Sequence, residues 1–285
     1  MVGQMAGSTA RGRLKAVLIQ AVQATTSQRA SLVAAGCAFY ATLALFPSIT
    51  MLISLYGLAF NPETVQPQLH YLVGLMPADV YKLISERIQS LVSQPAQGLG
   101  LSFLISVMIS FWSSSTGTKS ILNALTLAYD QIETRGFIRF QLVSLLMTLL
   151  AVLGAIIAIG FMVLLPIILV HMGLPDDTNV FVGLIGFGAM IVSILLALGI
   201  LYRFGPAGEG RYFYAPGAII ATFAWLAASW AFRFYVGRFA AYSVAYGPLA
   251  TIIGLMMWFY ISAYIVLFGA HLNAALDSQR RPATE

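Results

Sequence analysis

The sequence predicts an all-α, polytopic membrane protein, a six-transmembrane-helix bundle with amphipathic flanking helices. Hydrophobic residues make up 59% of its 285 positions, whereas Asp, Glu, Lys and Arg together make up only 9%. Soluble domains contain roughly 45–50% apolar and about 25% charged residues, so this inventory cannot form a water-exposed surface. Several apolar stretches are long enough to cross a bilayer as helices, because about 20 residues suffice.

The N-terminal segment, residues 1–29, is predicted to form a cytoplasmic amphipathic helix. It lacks the continuous apolar core of a signal peptide. Lys and Arg side chains surround a set of apolar residues that recur at helical spacing: Leu14, Val17, Leu18, Ala21 and Val22. This pattern is typical of a helix that lies on the inner membrane surface.

The membrane domain is predicted to cover residues 30–276, and a cytoplasmic tail residues 277–285. Its six spans are expected near residues 30–60, 98–116, 140–170, 180–202, 216–235 and 248–273. The first stretch exceeds what a hydrocarbon core of ~30 Å requires, and Pro47 inside it is expected to kink the helix. Between the first two spans, residues 80–91 are predicted to form an amphipathic helix, at the outer surface or packed on the bundle.

Small residues on the third and fourth spans are expected to form close helix contacts, because they let neighbouring backbones approach. On the third span these are Ala151, Gly154, Ala155 and Ala158, and on the fourth Gly183, Gly186 and Gly188.

The distribution of Lys and Arg predicts the orientation, because cytoplasmic loops carry an excess of these residues. With the N-terminus inside, eleven lie on the cytoplasmic side: Arg11, Arg13, Lys15, Arg29, Lys119, Arg135, Arg139, Arg203, Arg211, Arg280 and Arg281. Four lie outside: Lys82, Arg87, Arg233 and Arg238. An even number of spans then returns the C-terminus to the cytoplasm. The same bias explains the net charge of +5, so no nucleic-acid partner is expected.

No motif indicates a catalytic, cofactor or metal site. The peptide Gly117-Thr118-Lys119-Ser120 ends like a phosphate-binding loop, but Trp112 stands where that loop requires a glycine. His70, His171 and His271 are scattered over three segments, and none has a second histidine at metal-ligand spacing. The sequence therefore predicts that the chain is not an enzyme and binds no cofactor.

Several other segments form a specific combination over about residues 30–276. They are residues 39–47, residues 129–137, Pro216-Gly217-Ala218, Tyr246-Gly247, Trp258, Tyr260, Gly269-Ala270 and Asn273-Ala274. This combination resembles the YihY/BrkB family of bacterial inner-membrane proteins. Two positions depart from the family pattern, because His271 stands where an acidic residue is expected and Thr126 where an asparagine is expected.

The resemblance implies a six-helix bundle in the bacterial inner (plasma) membrane. The family that the sequence resembles is sometimes labelled ribonuclease BN and sometimes linked to virulence or to envelope lipid and solute transport. The candidate functional positions are Tyr40, Pro47, Trp112, Tyr129, Glu133, Arg135, Tyr242, Tyr246, Gly247, Trp258, Tyr260 and Asn273.

These positions are expected to form two layers. Tyr129, Glu133 and Arg135 lie on a predicted cytoplasmic loop, whereas Tyr242, Tyr246 and Gly247 are predicted to form the outer turn between spans five and six. Glu133 and Arg135 are two residues apart and would not face each other on a helix, so each is expected to pair with another element.

Three classes of function follow. The leading hypothesis is a transporter-like protein that moves a lipid, an amphiphile or a small solute, because almost no mass lies outside the membrane. The alternative is a scaffold or regulator of envelope proteins, which would show a packed bundle with an exposed groove. The third is a membrane-bound enzyme such as the ribonuclease of the older label, which would need converging acidic or histidine side chains. Membrane lipids are the expected partners in all three.

The predicted orientation can be tested by thiol labelling in intact cells. Single cysteines at Asp176 and at Gln131, in a Cys37→Ser background, should react differently with a membrane-impermeant reagent. The cysteine at 176 should label because it lies outside, and the cysteine at 131 should not. Reversed labelling would contradict the orientation, and equal labelling would contradict the six-span topology.

Overall fold

Seven α-helices make up the computed structural model, which describes residues 10–59, 101–171, 178–208, 216–246 and 248–280. The helices are α1 (Ala10–Thr25), α2 (Gln28–Ala59), α3 (Leu101–Ala128), α4 (Phe137–His171), α5 (Thr178–Phe204), α6 (Pro216–Tyr246) and α7 (Pro248–Arg280). These ranges contain no strand. The predicted all-α class is therefore confirmed.

Four of the helices contain segments that are long and apolar enough to cross a membrane. They are Phe137–Gly154, Ile185–Phe204, Pro216–Val236 and Ile252–Gln279. These segments agree with the predicted spans three to six. Among the described residues α2 contains only a shorter apolar segment, Arg29–Leu45. The count of six spans stays a prediction, and the amphipathic helix predicted at residues 80–91 lies outside the described ranges.

The chain forms two compact units, residues 1–42 with 118–285, and residues 43–117. In the second unit, Pro47 lies inside α2, which continues as a helix to Ala59. A proline has no amide hydrogen, so the helix loses one backbone hydrogen bond there. The next residue, Ser48, donates its hydroxyl proton to the carbonyl of Ala44 (2.6 Å), and its Oγ lies 2.6 Å from Oγ of Ser114 in α3.

In the first unit, small residues at one crossing bring two helix backbones together. Helix α7 packs against α6 and α1, and α5 packs against α4 and α6. The crossing of α6 and α7 is closest at Gly217 and Gly269. A Cβ atom on Gly217 would collide with the carbonyl oxygen of Gly269, and one on Gly269 would collide with the Tyr202 hydroxyl and the Gly217 carbonyl. Only glycine fits at either position without displacing these groups.

The small residues predicted to mediate contacts on α4 and α5 do not do so in the described part of the chain. Ala151 and Gly154 are exposed. A Cβ atom on Gly154, Gly186 or Gly188 would meet no atom within 4 Å. The prediction was wrong at these positions because other faces of the two helices are buried, at Val152 on α4 and at Leu198 on α5.

Helix α1 lies within the N-terminal segment where an amphipathic helix is predicted, and the amphipathic, membrane-surface character of that segment stays a prediction. Two of its apolar residues, Val17 and Ala21, are buried against Leu272 and Ala275 of α7. Leu18 and Val22 remain exposed. Contact of these side chains with the membrane surface stays a prediction.

Helix α3 ends in a Schellman motif. The amide of Gln131 donates to the carbonyl of Thr126 (2.9 Å), and the amide of Asp130 donates to the carbonyl of Leu127 (3.1 Å). Asp130 has φ of 52°, the left-handed conformation that this motif requires at its turning residue. Aspartate tolerates this conformation better than most residues other than glycine. The motif turns the chain sharply out of α3 into the segment 130–136.

The crossing of α6 and α7 supplies a stability prediction with an internal control. Gly269→Ala should destabilise the fold by about 1–3 kcal/mol, because the added methyl group overpacks a closed contact. Gly254→Ala lies on the same helix in open space, so it gains the same helix propensity without a clash. Thermal unfolding in detergent, followed by circular dichroism, should give a lower midpoint for Gly269→Ala alone. Equal midpoints would contradict the close approach.

Candidate functional site

A polar cluster lies at one end of the first unit, where α3 and α5 end, α6 begins and α7 passes. This is the end predicted to face the cytoplasm. Three of the sequence-predicted positions, Tyr129, Arg135 and Asn273, contribute buried polar groups there, and Glu133 lies beside Arg135. The cluster is defined here as these four residues together with Tyr202 and His271.

Asn273 of α7 connects two other helices through its side-chain amide. Its Oδ1 accepts a hydrogen bond from the backbone amide of Gly217 (2.8 Å), and its Nδ2 donates to the Tyr129 hydroxyl (3.2 Å). The first amides of a helix have no acceptor within that helix. Asn273 therefore caps α6 from a neighbouring helix, and it is only 6% exposed.

Tyr129 directly follows the last residue of α3 and stays uncharged. Burial raises the pKa of its phenol to about 12, the hydrogen bond from Asn273 lowers it in part, and the nearby charge of Asp277 raises it. At neutral pH the phenol is therefore a neutral hydroxyl. It can accept from Asn273 while keeping its own proton.

One further bond ties α7 to a neighbour at the same end. The Tyr202 hydroxyl of α5 donates to the backbone carbonyl of Val266 (2.8 Å). His271 of α7 lies beside the backbone carbonyl of Ala128, the last residue of α3.

Glu133 and Arg135 pair with each other. Arg135 Nη2 lies 2.7 Å from Glu133 Oε2, and Arg135 Nε lies 2.7 Å from Glu133 Oε1. The prediction that each would pair with another element was wrong for Glu133, because it assumed a helix. The segment is instead irregular, with a bend at Arg135, and side chains two residues apart can meet there.

The Arg135 guanidinium makes further contacts in addition to its ion pair with Glu133. Its Nη2 also donates to the carbonyl of Gly205 beyond the end of α5 (3.0 Å), and Cζ lies 5.3 Å from the centre of the Phe140 ring. Its side chain is 6% exposed, against 26% for that of Glu133. The hydrogen bonds from Arg135 lower the pKa of the Glu133 carboxyl. The planar fork therefore fastens the segment before α4 to the end of α5.

Sequence reasoning missed Tyr202, Gln131 and Gly205. Tyr202 served only to mark the end of the fourth span, since burial of a tyrosine hydroxyl has no sequence signal. Gln131 Oε1 accepts from the amide of Gly208 (2.8 Å), a contact between two loops distant in sequence. Gly205 did have a signal, because glycine is favoured directly after a helix. A Cβ atom there would collide with the Leu201 carbonyl and the Leu125 side chain.

Three other predicted positions in the first unit lie outside the cluster. Trp258 packs against Trp225 and Phe232, with ring centroids 5.3 and 5.0 Å apart. The Tyr260 hydroxyl lies 2.9 Å from Oγ of Ser31. Tyr40 is 43% exposed and forms an edge contact with its neighbour Phe39.

The remaining predicted positions divide between the second unit and the junction of α6 and α7. Pro47 and Trp112 belong to the second unit, where Trp112 is 51% exposed. Helix α6 continues to Tyr246, so Tyr242 and Tyr246 lie on a helix and do not form the predicted turn. Their side chains, and Gly247 as a whole, lie outside what the structure describes.

The cluster contains no recognisable metal site. Over the described ranges, no group of three His, Cys, Asp or Glu residues is placed to hold a metal ion. Its polar atoms are instead used in hydrogen bonds between helices, which can hold helix ends together and can be exchanged for water when those ends separate.

Comparison with known proteins gives a consistent family. The model of the family described as virulence factor BrkB matches residues 21–285. The ribonuclease-like protein YfkH of Bacillus subtilis is 31% identical over 253 residues, which cover 86% of this chain and 89% of YfkH.

Shorter matches involve proteins named UPF0761 membrane proteins. That of Alteromonas mediterranea is 39% identical over 101 residues, covering 32% of this chain and 33% of the relative. That of Pseudoalteromonas translucida is 29% identical over 128 residues, covering 45% and 41%. No solved structure matches this chain. The family model and the near-full-length relative together show that this chain belongs to the BrkB family of membrane proteins.

Proposed function

We propose that this chain is a transporter-like protein of the bacterial inner membrane that moves a lipid, an amphiphile or a small solute. In this proposal the polar cluster is a closure at the cytoplasmic end of the path. The observation that carries it is the bridging by Asn273, which holds the start of α6 and the end of α3 through one amide group. Helix ends held by so few hydrogen bonds can separate once those bonds break.

The hydrogen bonds of the cluster are weak enough for a closure that can open, which favours a closure rather than a permanent clamp. A neutral hydrogen bond contributes a net ~0.5–1.5 kcal/mol. The bonds made by Asn273 and Tyr202 therefore sum to a few kcal/mol. A difference of that size leaves the minor state of a two-state protein roughly 0.1–10% populated. The ion pair of Glu133 and Arg135 lies within one segment, and the bond from Arg135 to the Gly205 carbonyl would keep that segment with the end of α5.

Transport can be tested after reconstitution into liposomes. The probes are a fluorescent phospholipid, whose transfer between leaflets is read by quenching from outside, and a trapped fluorescent anion of small size. Tyr129→Phe removes the acceptor for Asn273 Nδ2 without changing ring volume. A loss of about 1 kcal/mol should raise the open population, and hence probe movement, about fivefold.

Tyr264→Phe is the matched control for this experiment. It removes a hydroxyl bond of similar length, to the carbonyl of Thr25 in α1 (2.7 Å), outside the cluster. It should leave probe movement at the wild-type level. Absence of movement of either probe above protein-free liposomes in all variants would overturn the proposal and favour the scaffold class. Equally faster probe movement in Tyr129→Phe and Tyr264→Phe would contradict the assignment of the polar cluster as the closure.

A separate prediction concerns the ribonuclease-like name of the relative from Bacillus subtilis. Purified protein should show no intrinsic ribonuclease activity, because neither a metal site nor a paired nucleophile and base is assembled in the described cluster. The assay compares wild type with His70→Ala, His171→Ala, His271→Ala and Asp177→Ala. Activity that co-purifies with the wild type and disappears in one variant would contradict this expectation.

A further inference from the structure

An exposed apolar face runs along α4 beneath an arginine. Arg139 lies in the first turn of α4 and is exposed. Leu146, Leu150 and Ile157 follow it by 7, 11 and 18 residues, spacings that return to nearly the same side of a helix with 3.6 residues per turn. All three are exposed, as are Leu142 and Leu153 at the edge of this face. The face from Leu142 to Ile157 is roughly 22 Å long, longer than one leaflet of a hydrocarbon core of ~30 Å.

No carboxylate in the described part of the chain neutralises Arg139. Among the described residues, Glu133 and Arg135 form an ion pair, and no carboxylate lies within salt-bridge distance of Arg139. The helix itself does not account for the residue either. A cation in the first turn of a helix is disfavoured by the helix dipole, which favours anions there.

A second arginine lies at the same level on the neighbouring helix. Arg203 is in the last turn of α5, which packs against α4. The bond from Arg135 Nη2 to the Gly205 carbonyl fastens the beginning of α4 to the end of α5. Arg203 also lacks a carboxylate partner in the described part of the chain. Leu196, Val192 and Ile185 follow it towards the other membrane surface at the same spacings of 7, 11 and 18 residues, and are exposed.

We propose that this face binds an anionic phospholipid of the cytoplasmic leaflet. Arg139 and Arg203 hold the phosphate, and the apolar faces of α4 and α5 hold the acyl chains. The charge of the two arginines selects an anionic lipid. A zwitterionic lipid would fill the apolar face equally well, but its net charge of zero would not compensate Arg139 and Arg203 at the membrane surface. The site is distinct from the polar cluster and does not depend on whether the chain transports anything.

The test measures binding of dioleoylphosphatidylglycerol to the purified full chain in detergent, by native mass spectrometry and by the thermal unfolding midpoint. The zwitterionic probe is dioleoylphosphatidylcholine, and the chain-free probe is glycerol 3-phosphate. Phosphatidylglycerol should bind more tightly than phosphatidylcholine and raise the midpoint further. Glycerol 3-phosphate at equal concentration should do neither.

Variants then locate the site. Arg139→Gln and Arg203→Gln should each weaken phosphatidylglycerol binding about fivefold, since one basic residue near a membrane surface contributes that much. Arg233→Gln, at an exposed arginine towards the other end of α6, removes the same charge and should leave binding unchanged. Arg139 and Arg203 both lie outside the buried core, so monodisperse protein is expected from each variant.

Four results would overturn the proposal. The first is equal binding of the two phospholipids by wild type. The second is an equal loss in Arg233→Gln, which would show a diffuse effect of net charge. The third is a full midpoint shift with glycerol 3-phosphate, which would show an anion site without acyl chains. A change in oligomeric mass with unaltered lipid binding in the Arg139 and Arg203 variants would instead identify an interface between copies, and would equally overturn it.

Discussion

The contact between Gly217 and Gly269 determines how the helices of the first unit can be arranged. At this crossing the backbones of α6 and α7 are so close that the carbonyl of each glycine leaves no room for a Cβ atom on the other. Only then can Asn273, one turn further along α7, reach the first amide of α6. Apolar lipid does not drive helices together as water does, so close packing and hydrogen bonds between helices carry the association. The glycine contact supplies the close packing and permits the hydrogen bonds.

The polar cluster follows from the same constraint. Water is excluded from a hydrocarbon core, and each backbone group at a helix end must find a partner in the protein or at the membrane surface. The start of α6 finds it in Asn273, and the carbonyl of Gly205 beyond α5 finds it in Arg135. The end of α3 is satisfied by its own Schellman motif. The cluster is thus a set of helix ends completed by side chains from other elements.

Much of the helical layout could be predicted from the sequence, because apolar length and loop charge report directly on membrane helices. The fit is good for α4 to α7, where long uncharged stretches dominate. The side of each helix that makes contact could not be predicted. Gly154, Gly186 and Gly188 resemble Gly217 and Gly269 in sequence, yet only the latter pair meets another backbone. Small size permits a contact, and the neighbouring helix decides whether it forms.

The site was predicted in part for a similar reason. Tyr129, Arg135 and Asn273 were found through family resemblance, but Arg135 and Asn273 also bond to the backbone at Gly205 and Gly217, and backbone groups leave no mark in the sequence. Glu133 and Arg135 were expected to diverge because helical spacing was assumed. Helix α3 ends at Ala128, and Asp130 has φ of 52°. Glu133 and Arg135 therefore lie outside a helix, where side chains two residues apart can meet.

Helix α7 has a mechanical consequence that follows from its length. Its 33 residues extend for roughly 50 Å at 1.5 Å per residue, well beyond the ~30 Å core of a bilayer. Along this one rod lie the Trp258 aromatic contacts, the Gly269 crossing, Asn273 and finally the apolar seat of α1 at Leu272 and Ala275. An α-helix resists bending over such a distance far better than a loop does. A displacement of α1 would therefore act on α7 within one helical turn of Asn273, where that side chain holds α6 and the end of α3.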